Sequence, residues 1–134
     1  MDVTRSPKQT LLVADDNELM IGAICRVLRE RFDLIGTVSD GVAAIGAVLA
    51  LRPDAIVLDI QMPLMDGIQV VREIKKLQVG SKIVMLTASC DEDYIQAALT
   101  AGADGFVFKH KMHADLAIAV QKALDGGVFV SRKS

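Results

Sequence analysis

Asp15-Asp16, Asp59, Thr87 and Lys109 are the side chains whose types and spacing point to chemistry. Each stands where a short apolar run stops. Leu11 to Ala14 runs into Asp15-Asp16, Ala55 to Leu58 into Asp59, Ile83 to Leu86 into Thr87, and Gly105 to Phe108 into Lys109. Runs of this kind read as strands buried on both faces. In a parallel sheet their carboxyl ends share one rim, where open α/β sheets bind ligands. Three carboxylates, a hydroxyl and an ammonium then converge on one cleft. Carboxylates that close repel each other unless a cation lies between them. An all-oxygen set suits Mg2+, which keeps several waters and uses one or two carboxylates. A divalent cation beside a carboxylate, with a lysine opposite, is an arrangement for phosphoryl transfer. Asp59, alone on the central run, is the natural nucleophile. Asp16 is the better-placed direct metal ligand, Asp15 acts more remotely or through water, and the Gln61 backbone carbonyl completes the shell. Taken singly, each residue also has a plainer use, because aspartates close strands and cap helices in many proteins without chemistry.

The elements that must position these groups alternate. After the first strand, Asp15-Asp16-Asn17-Glu18 caps a helix whose apolar face is Ile21, Ile24, Leu28 and Phe32. Leu34 to Val38 is a second strand, and Ser39-Asp40-Gly41 turns into a very apolar, Ala-rich helix from Val42 to Leu51, stopped near Arg52-Pro53. Past Asp59, Pro63 and Asp66-Gly67 mark a loop, and Ile68, Val71, Ile74 and Leu77 stripe a third helix that ends at Gly80. Asp91-Glu92-Asp93 opens a helix through Ile95, Ala98 and Leu99 to Gly102. The stripe Leu116, Val120, Ala123 and Leu124 marks the last one, ended by Gly126-Gly127. Strict alternation of strand and helix implies parallel strands joined by right-handed crossovers. The expected fold is α/β, a doubly wound five-stranded parallel sheet of flavodoxin-like order 2-1-3-4-5, with helices on both faces.

Composition narrows the function. The 134 residues suit one domain with a sizeable core, and a hydrophobic fraction of 51% excludes a disordered chain. A net charge of −2 argues against a basic surface for nucleic acid. No apolar stretch is long enough to span a bilayer and no cationic-then-apolar leader opens the chain, so a cytoplasmic location is expected. Cys25 and Cys90 form no metal-binding spacing. Cys25 reads as a small buried apolar residue and Cys90 as exposed. His110 and His113 lack a third ligand nearby.

With these residues in view, the chain resembles the receiver domains of two-component response regulators, the CheY-like family. The resemblance is carried, in order, by Asp15-Asp16, Asp59, Met62-Pro63, Asp66-Gly67, Thr87-Ala88, Gly102-Ala103-Asp104-Gly105-Phe106 and Lys109. It implies that Asp59 accepts a phosphoryl group from a sensor histidine kinase with Mg2+. Thr87 would swing to bind that group, Phe106 would turn inward behind it, and Lys109 would pair with the phosphoryl oxygens. Gln61 and Ser89 would tune hydrolysis of the acyl phosphate. The result is a two-state switch that accepts a phosphoryl group rather than turning over substrate, with a homodimer as a possible readout. His110 stands where many receivers have proline preceded by a cis bond; a cis bond without proline costs about 3–4 kcal/mol, so the family's cis bond is not carried over to Lys109-His110. Receivers fused to a C-terminal helix-turn-helix domain of the NarL/FixJ (LuxR-type) class often lack that proline. The implied organisation is a flexible N-terminus over 1–10, a receiver over 11–127, and the start of a linker to a DNA-binding output domain over 128–134.

Other classes fit less well. A phosphatase or phosphomutase of the haloacid-dehalogenase type needs an acid/base two residues past the nucleophile, and Gln61 cannot transfer protons. A stand-alone receiver without an output domain is the alternative reading; a receiver-fold protein-binding module that is never phosphorylated would not need the intact set of acids, hydroxyl and lysine. A flavin carrier wants a Ser/Thr/Gly-rich phosphate loop after the first strand, where this chain is anionic.

Overall fold

The computed structural model describes residues 8–62, 64–88 and 91–132. Five strands and five α-helices alternate as expected: β1 (Thr10–Ala14), α1 (Glu18–Leu28), β2 (Asp33–Val38), α2 (Gly41–Leu51), β3 (Ala55–Asp59), α3 (Gly67–Lys76), β4 (Lys82–Thr87), α4 (Glu92–Ala101), β5 (Gly105–Phe108) and α5 (Met112–Leu124). A single 3-10 turn, Lys109–Lys111, joins β5 to α5. The sheet has one strand more than expected. Phe129–Val130 forms β6, and the order is β2-β1-β3-β4-β5-β6, with every pairing parallel.

The apolar runs became strands because both sheet faces are covered. Leu11, Leu12, Val13, Ala14 and Ala55 to Leu58 are fully buried. Side chains that alternate along a strand separate into two cores. One joins Leu12, Ala14, Ile56 and Leu58 to α2, α3 and α4, and the other joins Leu11, Val13, Ala55 and Val57 to α1 and α5. Met112 is buried in the second core.

Each of the first four helices starts on an Asx cap just past a strand. Asn17, Asp40, Asp66 and Asp91 accept backbone N–H groups from Met20, Ala43, Ile68 and Asp93. These caps satisfy donors that a helix N-terminus leaves without partners. At the opposite end of the strands Asp54 clasps Thr10 through both its backbone N–H and its hydroxyl, at 2.8 and 3.1 Å, and so ties the start of β3 to β1.

β6 escapes a periodicity reading for a physical reason. Two residues after Gly126-Gly127 carry no pattern. What recruits them is the open edge of β5, whose backbone groups need partners. The Phe129 N–H donates to the Asp104 carbonyl and the Ser131 N–H to that of Phe106. Among the described residues no peptide bond is cis, so Lys109-His110 is trans.

Candidate functional site

β1 delivers the acidic pair. The Asp15 N–H extends the ladder to the Val38 carbonyl at 3.0 Å, which turns the Asp15 side chain into the rim. Its Oδ1 accepts the Asn17 N–H at 2.9 Å, while Oδ2 is buried with no hydrogen-bond partner. Burial raises the Asp15 carboxyl above the ordinary carboxylate range. The Asn17 N–H and Lys109 oppose that rise, and the like charges of Asp59 and Asp16 add to it. Asp16, beside it, is exposed.

β3 delivers Asp59 on its last residue, in register with Leu86 of β4 and only 3% exposed. Its Oδ1 receives the Gln61 N–H at 3.4 Å and the Lys109 ammonium at 3.1 Å. Lys109 reaches there from the end of β5 through a trans backbone, so the histidine that follows it does not spoil its aim. Carboxylate oxygens of Asp15, Asp16 and Asp59 all lie within 4.8 Å of one another. A buried oxygen without a donor, inside a cluster of three carboxylates, is what a hard divalent cation satisfies. The residues therefore fit Mg2+, as expected. Asp15, assigned the remoter part in the sequence, lies within the same 4.8 Å cluster as the other two.

β4 places Thr87 on the same rim, 4% exposed and in register with Phe108. Phe106 is 1% exposed and meets Tyr94 edge to face, ring centres 6.4 Å apart. Ser89 and Cys90 lie outside the described residues. His110 stacks on Phe108 at 5.8 Å rather than facing the acids. Cys25 is half-buried, and burial pushes its thiol up.

Sequence reasoning missed two supports of the site. The Tyr94 hydroxyl donates to Asp66 Oδ1 at 3.0 Å, linking α4 to the cap of α3. Burial first, and then Asp66, hold that phenol protonated well above its usual range. Asp104 receives the Lys75 ammonium at 3.0 Å and the Ile83 N–H at 2.9 Å, which fixes the turn into β5 against β4. No motif spacing announces either contact, since the partners are 28, 29 and 21 residues apart.

A doubly wound sheet with three acids and a lysine gathered at the switch point of strand order is the architecture of a phosphoacceptor module. The family model for the response regulator receiver domain matches residues 11–121, and the chain belongs to that family. Among curated relatives, the uncharacterized transcriptional regulatory protein YvfU of Bacillus subtilis is 35% identical over 118 residues, 87% of this chain and 59% of its own length. The chemotaxis protein CheY of Halobacterium salinarum is 38% identical over 102 residues, 76% of this chain and 84% of its own. Among solved structures, the signal receiver domain of the putative response regulator NarL from Mycobacterium tuberculosis superposes with a TM-score of 0.86 at 28% identity, covering 90% of this chain and 99% of that one. The chain spans about six tenths of the length of YvfU. The acidic cluster and the Lys109–Asp59 pair match the phosphoacceptor and divalent-cation architecture of a receiver domain, which is phosphorylated rather than turning over substrate. Among the described residues no helix is long and apolar enough to cross a membrane.

Proposed function

We propose that Asp59 takes a phosphoryl group from the phosphohistidine of a sensor kinase and that the modified domain switches an attached output. The observation that carries this reading is the buried Asp59 carboxylate, held by Lys109 at 3.1 Å beside an acidic cluster with one unsatisfied oxygen. An Asp59 oxygen forms the bond to phosphorus as the bond from phosphorus to the donor nitrogen breaks, and the electron pair stays on the departing imidazole. Asp15, Asp16, Asp59 and the Gln61 carbonyl would hold Mg2+, which would supply positive charge to the transferring oxygens. Lys109 exchanges its carboxylate partner for a phosphoryl oxygen. Thr87, on the same rim, donates its hydroxyl to another. Phe106, on the neighbouring strand β5, passes that movement to Tyr94 and α4. Gln61 and Ser89 flank the acyl phosphate and set its lifetime.

The output we favour is transcription. YvfU, the response regulator VraR of Staphylococcus epidermidis and the activator EvgA of Escherichia coli bear the names of regulators, and this chain spans only 56–59% of their lengths. Residues 128–134 would open the link to a DNA-binding domain, with Phe129–Val130 docked as β6, while the net charge of −2 argues against this domain itself holding nucleic acid.

Acetyl phosphate with Mg2+ should add one phosphoryl group by intact mass, and chelation or Asp59→Asn should abolish the adduct. An adduct that persists in Asp59→Asn, or steady turnover of assorted phosphate esters, would overturn the reading.

A further inference from the structure

Asp59 and Thr87 close neighbouring strands, and each opens a loop that leads into a helix. Asp66, the cap of α3, lies seven residues after Asp59, and Tyr94, in the first turn of α4, lies seven after Thr87. Beside the strand ends the two stretches are joined by the Ile60 N–H, which donates to the Leu86 carbonyl at 3.2 Å. At the helix starts they are joined again by the Tyr94 hydroxyl on Asp66 Oδ1 at 3.0 Å. These two bonds close a ring of chain that begins next to Asp59 and includes Thr87. The phenol reaches Asp66 through a niche that residue 67 leaves open. A Cβ on Gly67 would stand 3.2 Å from the phenol oxygen, 3.2 Å from the Ile60 Cα and 3.1 Å from the Met85 methyl. The Tyr94 ring also meets Phe106 edge to face. Tyr94 therefore links the cap behind Asp59 to the aromatic on β5.

We infer that the Tyr94–Asp66 bond is a latch on the phosphoacceptor switch, made in the unphosphorylated chain and broken when Thr87 engages a phosphoryl group on Asp59. The inference deepens the function proposed above and rests on it. Thr87 and Tyr94 are joined by a short stretch of chain, so a move of Thr87 toward Asp59 is carried to the first turn of α4. Asp66 does not follow, because its Oδ1 also accepts the Ile68 N–H at 3.1 Å and α3 is packed into the core through Ile68, Val71 and Ile74. The bond spans 3.0 Å, and a displacement of about 1 Å takes the hydroxyl out of hydrogen-bond range. Opening it strands no buried charge, since Asp66 is exposed and keeps its Ile68 donor. A bond present in one state and absent in the other biases the equilibrium by its own strength. The latch thus opposes switching, and its loss favours the switched form.

Tyr94 is the single tyrosine of a chain without tryptophan, so the wild-type protein reports on the bond without a label. A phenol that donates to a carboxylate absorbs at longer wavelength and emits less than one that does not. With Mg2+ and beryllofluoride together, the near-ultraviolet absorbance of the 134-residue chain should shift to shorter wavelength and its emission should rise. Neither should change in Asp59→Asn. Tyr94→Phe should bind beryllofluoride about two- to tenfold more tightly at fixed Mg2+, with bound fluoride read by fluorine NMR. In a chain carrying Asp66→Ser, where the serine still caps α3 but is too short to hold the phenol, Tyr94→Phe should make no difference. A strut that only stabilised the fold would lower the melting temperature and leave that affinity unchanged. Fluoride bound to the wild type with an unaltered tyrosine spectrum would overturn the latch while leaving Asp59 as the phosphoacceptor. So would an affinity in Tyr94→Phe no tighter than the wild type, or an effect that survives Asp66→Ser. A wild-type chain that binds no beryllofluoride would overturn both readings.

Discussion

Asp15 carries the tension of the site. Its Oδ2 is sealed from water without a donor, and Asp59 and Asp16 stand beside it with the same charge. Folding therefore raises its carboxyl, above all by burial. The folded chain holds a proton that the unfolded chain has already released, so the metal-free protein loses stability as pH climbs from the ordinary carboxylate value of 3.8 through the raised one. Asp15→Asn keeps the Oδ1 that serves Asn17 and turns the orphan oxygen into an NH2 that donates to a neighbouring carboxylate. In chelator near neutral pH it should stabilise the fold by about 1–2 kcal/mol in urea titrations. The gain should shrink toward low pH, where Asp15 is protonated in both states, and a gain independent of pH would contradict this account. Tyr94→Phe tests the other hydrogen-bonded support. Asp66 keeps its Ile68 donor but loses the phenol, at a cost of about 0.5–1.5 kcal/mol in the same titration, with the edge-to-face contact to Phe106 intact.

At the scale of elements, β6 is held by one buried serine. Ser131 Oγ donates to Asp115 of α5 at 2.7 Å and accepts the Phe108 N–H at 3.2 Å, tying the segment to both β5 and α5. Ser131→Ala strands that amide in the interior, at an expected cost of about 1–3 kcal/mol, with faster hydrogen exchange at Phe108 and little change in β1 or β3. Val130→Ser, at a residue 36% exposed, should cost little. The contrast between β6 and the other strands shows what could be read in advance. β1, β3, β4 and β5 announce themselves because burial on both faces demands uninterrupted apolar side chains, and because the chemistry stands on their last residues. Asp15, Asp59, Thr87 and Lys109 were therefore legible as one rim before any coordinates. β6, the Tyr94–Asp66 bond and the Asp104 clamp were not. Each depends on a backbone edge or a distant partner that exists only once the sheet has formed. α2 lies between these cases, since its lack of polar residues was plain in the sequence and the exposure of half its face was not.

Over the whole molecule, the acidic rim makes stability a function of cation concentration. A ligand that binds the folded chain and not the unfolded one stabilises it in proportion to the logarithm of its concentration. In the unfolded chain Asp15 and Asp16 are 43 residues or more from Asp59 and form no site. Above its dissociation constant, each tenfold rise in Mg2+ should add about 1.4 kcal/mol, which for a domain of this size moves the melting temperature by about 3–6 °C. The ammonium of Lys109 already neutralises one face of Asp59, so the cation must enter from the side of Asp15 and Asp16. Its effect should therefore vanish in Asp16→Asn and weaken strongly in Asp15→Asn. In Lys109→Ala it should persist, and grow, because the Asp59 charge is left unshared. Calorimetric melts from micromolar to tens of millimolar MgCl2, at constant ionic strength set with KCl, separate site binding from screening of surface charge. A melting temperature that follows total ionic strength rather than Mg2+, or an unchanged Mg2+ slope in Asp16→Asn, would show that the three carboxylates do not hold the ion.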